Sequence, residues 1–264
     1  MKSVIIYTYY NSPSSNYNLS FFCKKELTYK DNIDYIIVIN GFEYDESILF
    51  PEIDNLTIIK RENIGFDFGG HQSALEFIEN NSKIYDYYFF MNSGVIGPIL
   101  RDDYCEHIHW SNIFIEKIND SVKLVGTTIV CLPHYDPGGY GPKVEGFFFM
   151  TDQIGLNLLK NQKTIFVQHE TFYHDIINGE YGLTKCILNN GYSIDCMLKK
   201  YQNIDWRDID NYNLNNNLHP SRKNSFYGNS IDPYEVIFHK WYWKYTPNET
   251  INFDIIEQCV KTLR

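Results

Sequence analysis

Between Arg61 and His71 the chain reads R-E-N-I-G-F-D-F-G-G-H. An extended apolar run, Leu56 to Ile59, leads into it, and a helix-like run, Ser73 to Ile78, leaves it. Gly65, Gly69 and Gly70 permit a positive φ or a close backbone approach. A helix opening here would offer free N–H groups to an anion or a polar ligand. Asp67 is placed to hold hydroxyls or an amide N–H, with Asn63 and Arg61 just before it. The plainer reading is a capping turn in which Asp67 favours a helix N-terminus by ~0.5–1 kcal/mol. A second polar cluster follows one strand later, at M-N-S-G-V-I-G-P (91–98), with Asn92 and Ser93 at its head. An Asx turn into Gly94 would explain Asn92 without a ligand.

The elements that would carry these clusters alternate. Strand patterns are expected at Val4–Tyr9, Asp34–Asn40, Leu56–Lys60, Tyr85–Met91, Val122–Val130, Glu145–Met150 and Tyr192–Met197. Helices are expected at Phe21–Leu27, Phe66–Asn80, Trp110–Ile118, Asp152–Lys160 and Glu180–Asn189, the last closed by Gly191. Residues 11–19 read as a loop, 201–230 as an irregular Asn-rich surface excursion, and Phe253–Leu263 as a closing helix. Strands alternating with helices imply an α/β fold with a mostly parallel central sheet. In such sheets ligands sit beyond the carboxyl ends of the strands, where both polar clusters fall. Residues 1–200 form the expected main domain, with 201–264 an extension packed on it.

Bulk properties narrow the classes. The chain has 264 residues, 44% hydrophobic and 17% aromatic, with a net charge of −10. That balance argues against nucleic-acid binding, which needs a basic surface to replace counterions. Cys23, Cys105, Cys131, Cys186, Cys196 and Cys259 show no paired spacing, so reduced thiols and a cytoplasmic setting are expected. No signal peptide and no membrane span are read. G-x-G-x-x-G is missing after the first strand, as are a Walker loop and a G-x-S-x-G elbow, which disfavours oxidoreductase, P-loop and α/β-hydrolase chemistry. His107-Ile108-His109 with Cys105 would share one strand face, yet structural zinc wants a second ligand pair. The segment His134 to Pro142 reads as a mobile Pro-Gly loop.

In order and spacing, several segments together resemble GT-A-type glycosyltransferases, most of all the rhamnan-synthesis F and related capsular-polysaccharide glycosyltransferases. They are R-E-N-I-G-F-D-F-G-G (61–70), Y-Y-F-F-M-N-S-G-V-I-G-P (87–98), K-L-V-G-T-T-I (123–129), F-F-M-T-D-Q-I-G-L (148–156), G-E-Y-G-L-T-K-C-I-L-N-N-G-Y (179–192) and D-P-Y-E-V-I-F-H-K (232–240). The resemblance implies a GT-A-like, Rossmann-related three-layer fold. It also implies transfer of a hexose or of rhamnose from a UDP- or dTDP-sugar donor to a glycan or glycoconjugate hydroxyl, with inversion.

By the same resemblance, Arg61, Asn63, Gly65, Asp67, Asn92, Ser93, His239 and Lys240 form the donor side. Many such enzymes bind Mn²⁺ or Mg²⁺ through Asp-x-Asp at the fourth strand, and here that place reads Asn92-Ser93-Gly94. Either other groups hold the metal, His239 among them, or the leaving diphosphate is stabilised without metal by Arg61, His239, Lys240 or backbone N–H groups. A general base beside the acceptor hydroxyl is expected at Glu180, then Asp152, then Glu170. First-turn placement and helix capping account for Glu180 and Asp152 without catalysis. The aromatic tail His239–Trp243 would stack on sugar rings or fill the core. A glycosyltransferase-like module that binds glycan or nucleotide without turnover is the alternative.

Overall fold

A computed structural model describes residues 1–28, 30–101, 109–242, 248 and 256. In chain order it forms β1 (Ser3–Tyr10), α1 (Pro13–Glu26), β2 (Ile33–Asn40), β3 (Leu56–Arg61), α2 (Phe66–Asn80), β4 (Tyr87–Asn92), β5 (Val95–Ile96) and α3 (Trp110–Ile115). Then follow β6 (Val122–Gly126), β7 (Ile129–Leu132), β8 (Gly141–Val144), β9 (Phe148–Asp152), α4 (Gln153–Asn161) and α5 (Phe172–His174). A π-helical turn (Asp175–Glu180) runs into α6 (Tyr181–Asn189), then β10 (Ser193–Cys196), α7 (Pro233–Val236) and β11 (His239–Lys240).

The seven-stranded sheet has the order β10-β6-β9-β4-β1-β2-β3. β9 runs antiparallel to β4 and β6, while the other pairings in this sheet are parallel. The expected α/β class with a mostly parallel sheet is therefore what the chain forms. Successive side chains point to opposite faces of a strand, and the aromatic residues of β4 and β9 show how both faces are covered. Phe89 and Phe148 meet Trp110 of α3 at 5.4 and 6.1 Å. Their neighbours Phe90 and Phe149 stack on each other at 4.8 Å and meet His71 of α2 at 5.2 and 5.9 Å. One face thus packs on α3, with Tyr7 of β1 against Phe22 of α1 at 5.0 Å; the other packs on α2.

Several sequence expectations change. Residues 13–19 are helical, because Ser12 accepts the Ser15 N–H as an N-cap and Pro13 suits the first helical turn. The expected strand Val122–Val130 is two strands: β6 stays in the main sheet, and β7 leaves to pair with β8. β8 takes up the end of the expected Pro-Gly loop, and His134 stacks on Tyr140 at 3.6 Å. His109 caps α3 and its Nε2 lies 2.7 Å from Glu26, a buried carboxylate that also accepts from Tyr35 and Trp110. The rest of the His-x-His reading, with Cys105, lies outside the described residues, as do Trp243, Cys259 and, apart from Ile256, the expected helix Phe253–Leu263. No helix among the described residues is long and apolar enough to cross a membrane.

Candidate active-site cleft

The glycine junction is built as a left-handed turn. Gly65, the N-cap of α2, has φ +73°, and a Cβ there would lie 2.4 Å from Gln168 Cα. Gly65 also forms an isolated antiparallel bridge with His169, tying the 165–171 segment to the turn. Gly69 and Gly70 sit inside α2 rather than in the turn. Arg61 braces this corner: Nη1 donates to Asn40 Oδ1 at 2.6 Å and Nη2 to the Ile64 carbonyl at 2.7 Å. Its hydrogen bonds are thus to the end of β2 and to the loop before α2. Asn63 is exposed beside Gly41.

Asp67, in the first turn of α2, reaches the end of β4, where Asn92 Nδ2 donates to its Oδ2 at 2.7 Å. Asn92 Oδ1 accepts the Gly94 N–H at 2.9 Å, so the Asx turn read from sequence and the link to Asp67 coexist. Ser93 is buried and turned toward α1, its Oγ donating to Ser15 Oγ at 3.0 Å. β11 pairs with β5, setting Lys240 opposite Val95 and its ammonium 5.5 Å from the Phe147 ring centroid. The Phe147 carbonyl accepts the Asn92 N–H at 3.1 Å, which closes the ring of elements.

Four carboxyl groups surround this point. Burial pushes the Asp67 carboxyl up, against the Asn92 hydrogen bond and the Lys240 charge. Burial also raises Glu180, opposed by Lys240 and the Gly146 N–H and reinforced by Glu145. Gly146 is needed there, since a Cβ would come within 2.6 Å of Glu180 Cγ. Asp175, in the π-helical turn, is pushed up to about 8 by burial and by the charges of Asp67 and Glu180, while the Phe68 N–H works the other way. π-turns inside helices often mark functional sites, and this one presents Asp175 and Glu180 to the same cleft.

Glu145 is the exception. Burial would raise it, but a hydrogen bond and charge from His219, a hydrogen bond from Thr128, and Lys240 together bring it below its ordinary value. His219 Nδ1 lies 2.9 Å from Glu145 Oε1, Ser221 Oγ donates to the same oxygen at 3.0 Å, and Thr128 Oγ1 donates to Oε2.

The sequence candidates therefore separate. Asp67, Asn92, Glu180 and Lys240 converge. Asp152 does not: it pairs with Tyr87 at the amino end of β4, caps α4 through the Gly155 N–H at 2.8 Å, and holds Lys123 at 2.7 Å. It caps α4 at the opposite end of the strands from Asn92 and does not reach this cleft. Glu170 is exposed on the segment that meets Gly65. Glu145, Asp175 and His219 join the cleft without having been singled out from sequence.

His239 is buried; its Nδ1 lies 2.8 Å from the Lys240 carbonyl, its Nε2 is buried without a partner, and burial lowers it to about 4. One imidazole nitrogen is not a ligand set, and no group of three His, Cys, Asp or Glu among the described residues is arranged to hold a metal ion. Trp241 of the aromatic tail is buried and donates to Asn18 at 3.0 Å, serving the core.

No protein-family model matches the sequence, and no curated protein matches it significantly. Among solved structures the chain is similar to the mannosyltransferase PcManGT from Pyrobaculum calidifontis in complex with GDP-Man and Mn2+. The similarity covers 74% of this chain at 13% identity, with a TM-score of 0.46. It takes in 54% of that chain, so the chain spans about half the length of the structure it matches.

Proposed function

We propose that this chain is a glycosyltransferase that moves a sugar from a nucleotide-sugar donor to a hydroxyl of a glycan or glycoconjugate. The observation that carries the reading is the convergence of Asp67, Asn92, Lys240 and Glu180 beyond the carboxyl ends of the parallel strands, where α/β sheets bind ligands. Asp67, with the exposed Asn63 beside it, is the donor-side carboxylate for ribose hydroxyls or base N–H groups. Lys240 is a cation of the cleft and meets the diphosphate, supported by backbone N–H groups. Glu180 takes the proton from the acceptor oxygen as that oxygen forms its bond to the anomeric carbon and the bond to the diphosphate breaks. A carboxyl raised by burial suits this role, because a general base works best with its pKa near the operating pH. UDP or dTDP is the proposed nucleotide, and inversion the proposed outcome.

A binding module without turnover is the second reading. It is favoured by one observation: both polar ends of Asn92 are already used, on Asp67 and on Gly94.

A thermal-shift panel of UDP, dTDP and GDP and their sugars, each with Mn²⁺, Mg²⁺ or EDTA, tests the donor site. Binding at a hundredfold over Kd stabilises the fold by ~2.7 kcal/mol. The expected result is a rise with UDP- or dTDP-sugars that survives EDTA and is lost in Asp67→Ala. No rise with any nucleotide contradicts the donor site, and a rise that vanishes in EDTA contradicts the metal-free assignment.

A further inference from the structure

The Pro-Gly loop rests on the start of α6 and closes one side of a cavity of about 240 Å³. A Cβ at Gly138 would lie 2.1 Å from Tyr181 Cδ2, so only a glycine lets the loop sit against that ring. Asp136 Oδ1 holds the loop in shape by accepting the Gly138 N–H at 2.7 Å. The other wall is one side of the π-helical turn and α6, where Asn178, Tyr181, Lys185 and Asn189 recur at spacings of three and four. Glu180, between Asn178 and Tyr181 in the chain, turns instead toward Gly146. Cleft and cavity therefore share the start of α6 and open on different sides of it.

The polar groups of this cavity are unused. The side chains of Asn178, Lys185 and Asn189 and the Tyr181 hydroxyl have no hydrogen bond or ion pair among the described residues. The next residue gives the contrast: Asn190 Nδ2 donates to the Cys186 carbonyl at 2.8 Å. Amides that both donate and accept, beside a half-buried tyrosine ring, suit the hydroxyls and the apolar face of a sugar. A cavity of ~150 Å³ already holds one six-membered ring, so one saccharide unit fits.

The charge is one-sided. Among the described residues that line the cavity, Lys185 alone is charged. β8 packs against α6, its Val144 N–H donating to Thr184 Oγ1 at 2.8 Å, and the residue before Val144 is a second cation, Lys143. Lys123 and Lys143 are equally buried, each 5% exposed. Lys123 has Asp152 at 2.7 Å, whereas Lys143 has no ion pair among the described residues. Burial, then the charge of Lys185, lowers Lys143 to about 8, with Asp136 and Cys131 acting the other way. A buried cation without a counter-charge is costly, and an anion held by Lys185 would offset the repulsion between the two lysines.

We propose that this cavity is a subsite for a saccharide unit bearing a carboxylate or a phosphate, with the anion on Lys185, hydroxyls on Asn178 and Asn189, and the sugar ring against Tyr181. Assigning that unit to the acceptor glycan rests on the glycosyltransferase reading and deepens it, by making the acceptor an acidic glycan.

The experiment titrates glucose, glucuronic acid and glucose 6-phosphate into the isotope-labelled full chain and follows the side-chain amide signals of Asn178 and Asn189. It is repeated on Lys185→Ala, a change at an exposed position. The expected result is a saturating shift with at least one acidic sugar, with glucose and the K185A protein each showing binding weaker by ~10-fold or more, the loss of one charge-assisted hydrogen bond. Tighter binding of glucuronic acid assigns a uronic acid, and tighter binding of glucose 6-phosphate a phosphorylated unit. No shift at either amide with either acidic sugar, equal binding of glucose, or full affinity in K185A would each overturn the site. A wild type that binds these sugars here but releases no diphosphate from any nucleotide sugar would remove the glycosyltransferase reading and the acceptor assignment, with the saccharide site standing.

Discussion

His71 lies fully buried on α2, with neither ring nitrogen hydrogen-bonded, inside a cage of Phe68, Phe90 and Phe149. Burial lowers it to about 3, so it is neutral when folded. The unfolded chain, with an ordinary His value near ~6.5, binds more protons between those values. Stability from this residue is therefore present above pH ~6.5 and lost as pH falls, by up to ~1.4 kcal/mol per pH unit. His71→Leu is expected to remove that slope and, by deleting two unpaired polar atoms, to stabilise the protein by ~1 kcal/mol at neutral pH. Urea unfolding of both proteins at pH 7 and pH 5 checks this; equal losses on acidification would contradict it. Asp67, Asn92, Glu180 and Lys240 were legible in the sequence because each stands in a short polar motif at an element end. Glu145 and His219 were not. Glu145 opens the expected strand Glu145–Met150 and His219 falls in the expected excursion 201–230, and only the fold brings them within 2.9 Å.

At the scale of elements, the α2 junction was the most readable piece: the expected helix Phe66–Asn80 has the observed limits. Its left-handed entry needs glycine both for φ and for space. Gly65→Ala is expected to cost ~2–4 kcal/mol, combining a left-handed alanine with overpacking against Gln168. Thermal unfolding measures it, and a loss under ~1 kcal/mol would show that the 165–171 segment yields easily. Residues 13–19 were misread because their Ser and Pro content signals a loop, while Ser12 and Pro13 are in fact a cap and a first-turn proline. The π-turn before α6 has no sequence signature, so Asp175 could not be placed on the side of Glu180 in advance.

For the whole molecule, the order β10-β6-β9-β4-β1-β2-β3 sets the reversed strand β9 beside β4, and the loop entering β9 supplies Glu145, Gly146 and Phe147 to the cleft. The alternation of strands and helices carried that architecture in the sequence, but not which loops meet across the strand ends. The segment 201–230 shows the difference: it contributes buried Tyr201 and Trp206 to the core and His219 to the cleft. The central claim is that this cleft transfers sugar with Glu180 as its base. Its most direct test is release of nucleoside diphosphate from a panel of nucleotide sugars by wild type and by Glu180→Gln, with methyl glycosides as acceptors. The expected result is turnover by wild type and a loss of ~10²–10⁴-fold in kcat in E180Q, with the nucleotide still bound. An E180Q protein as active as wild type would contradict Glu180 as the base, and a wild type that binds nucleotide sugars without releasing diphosphate would leave the cleft a binding site.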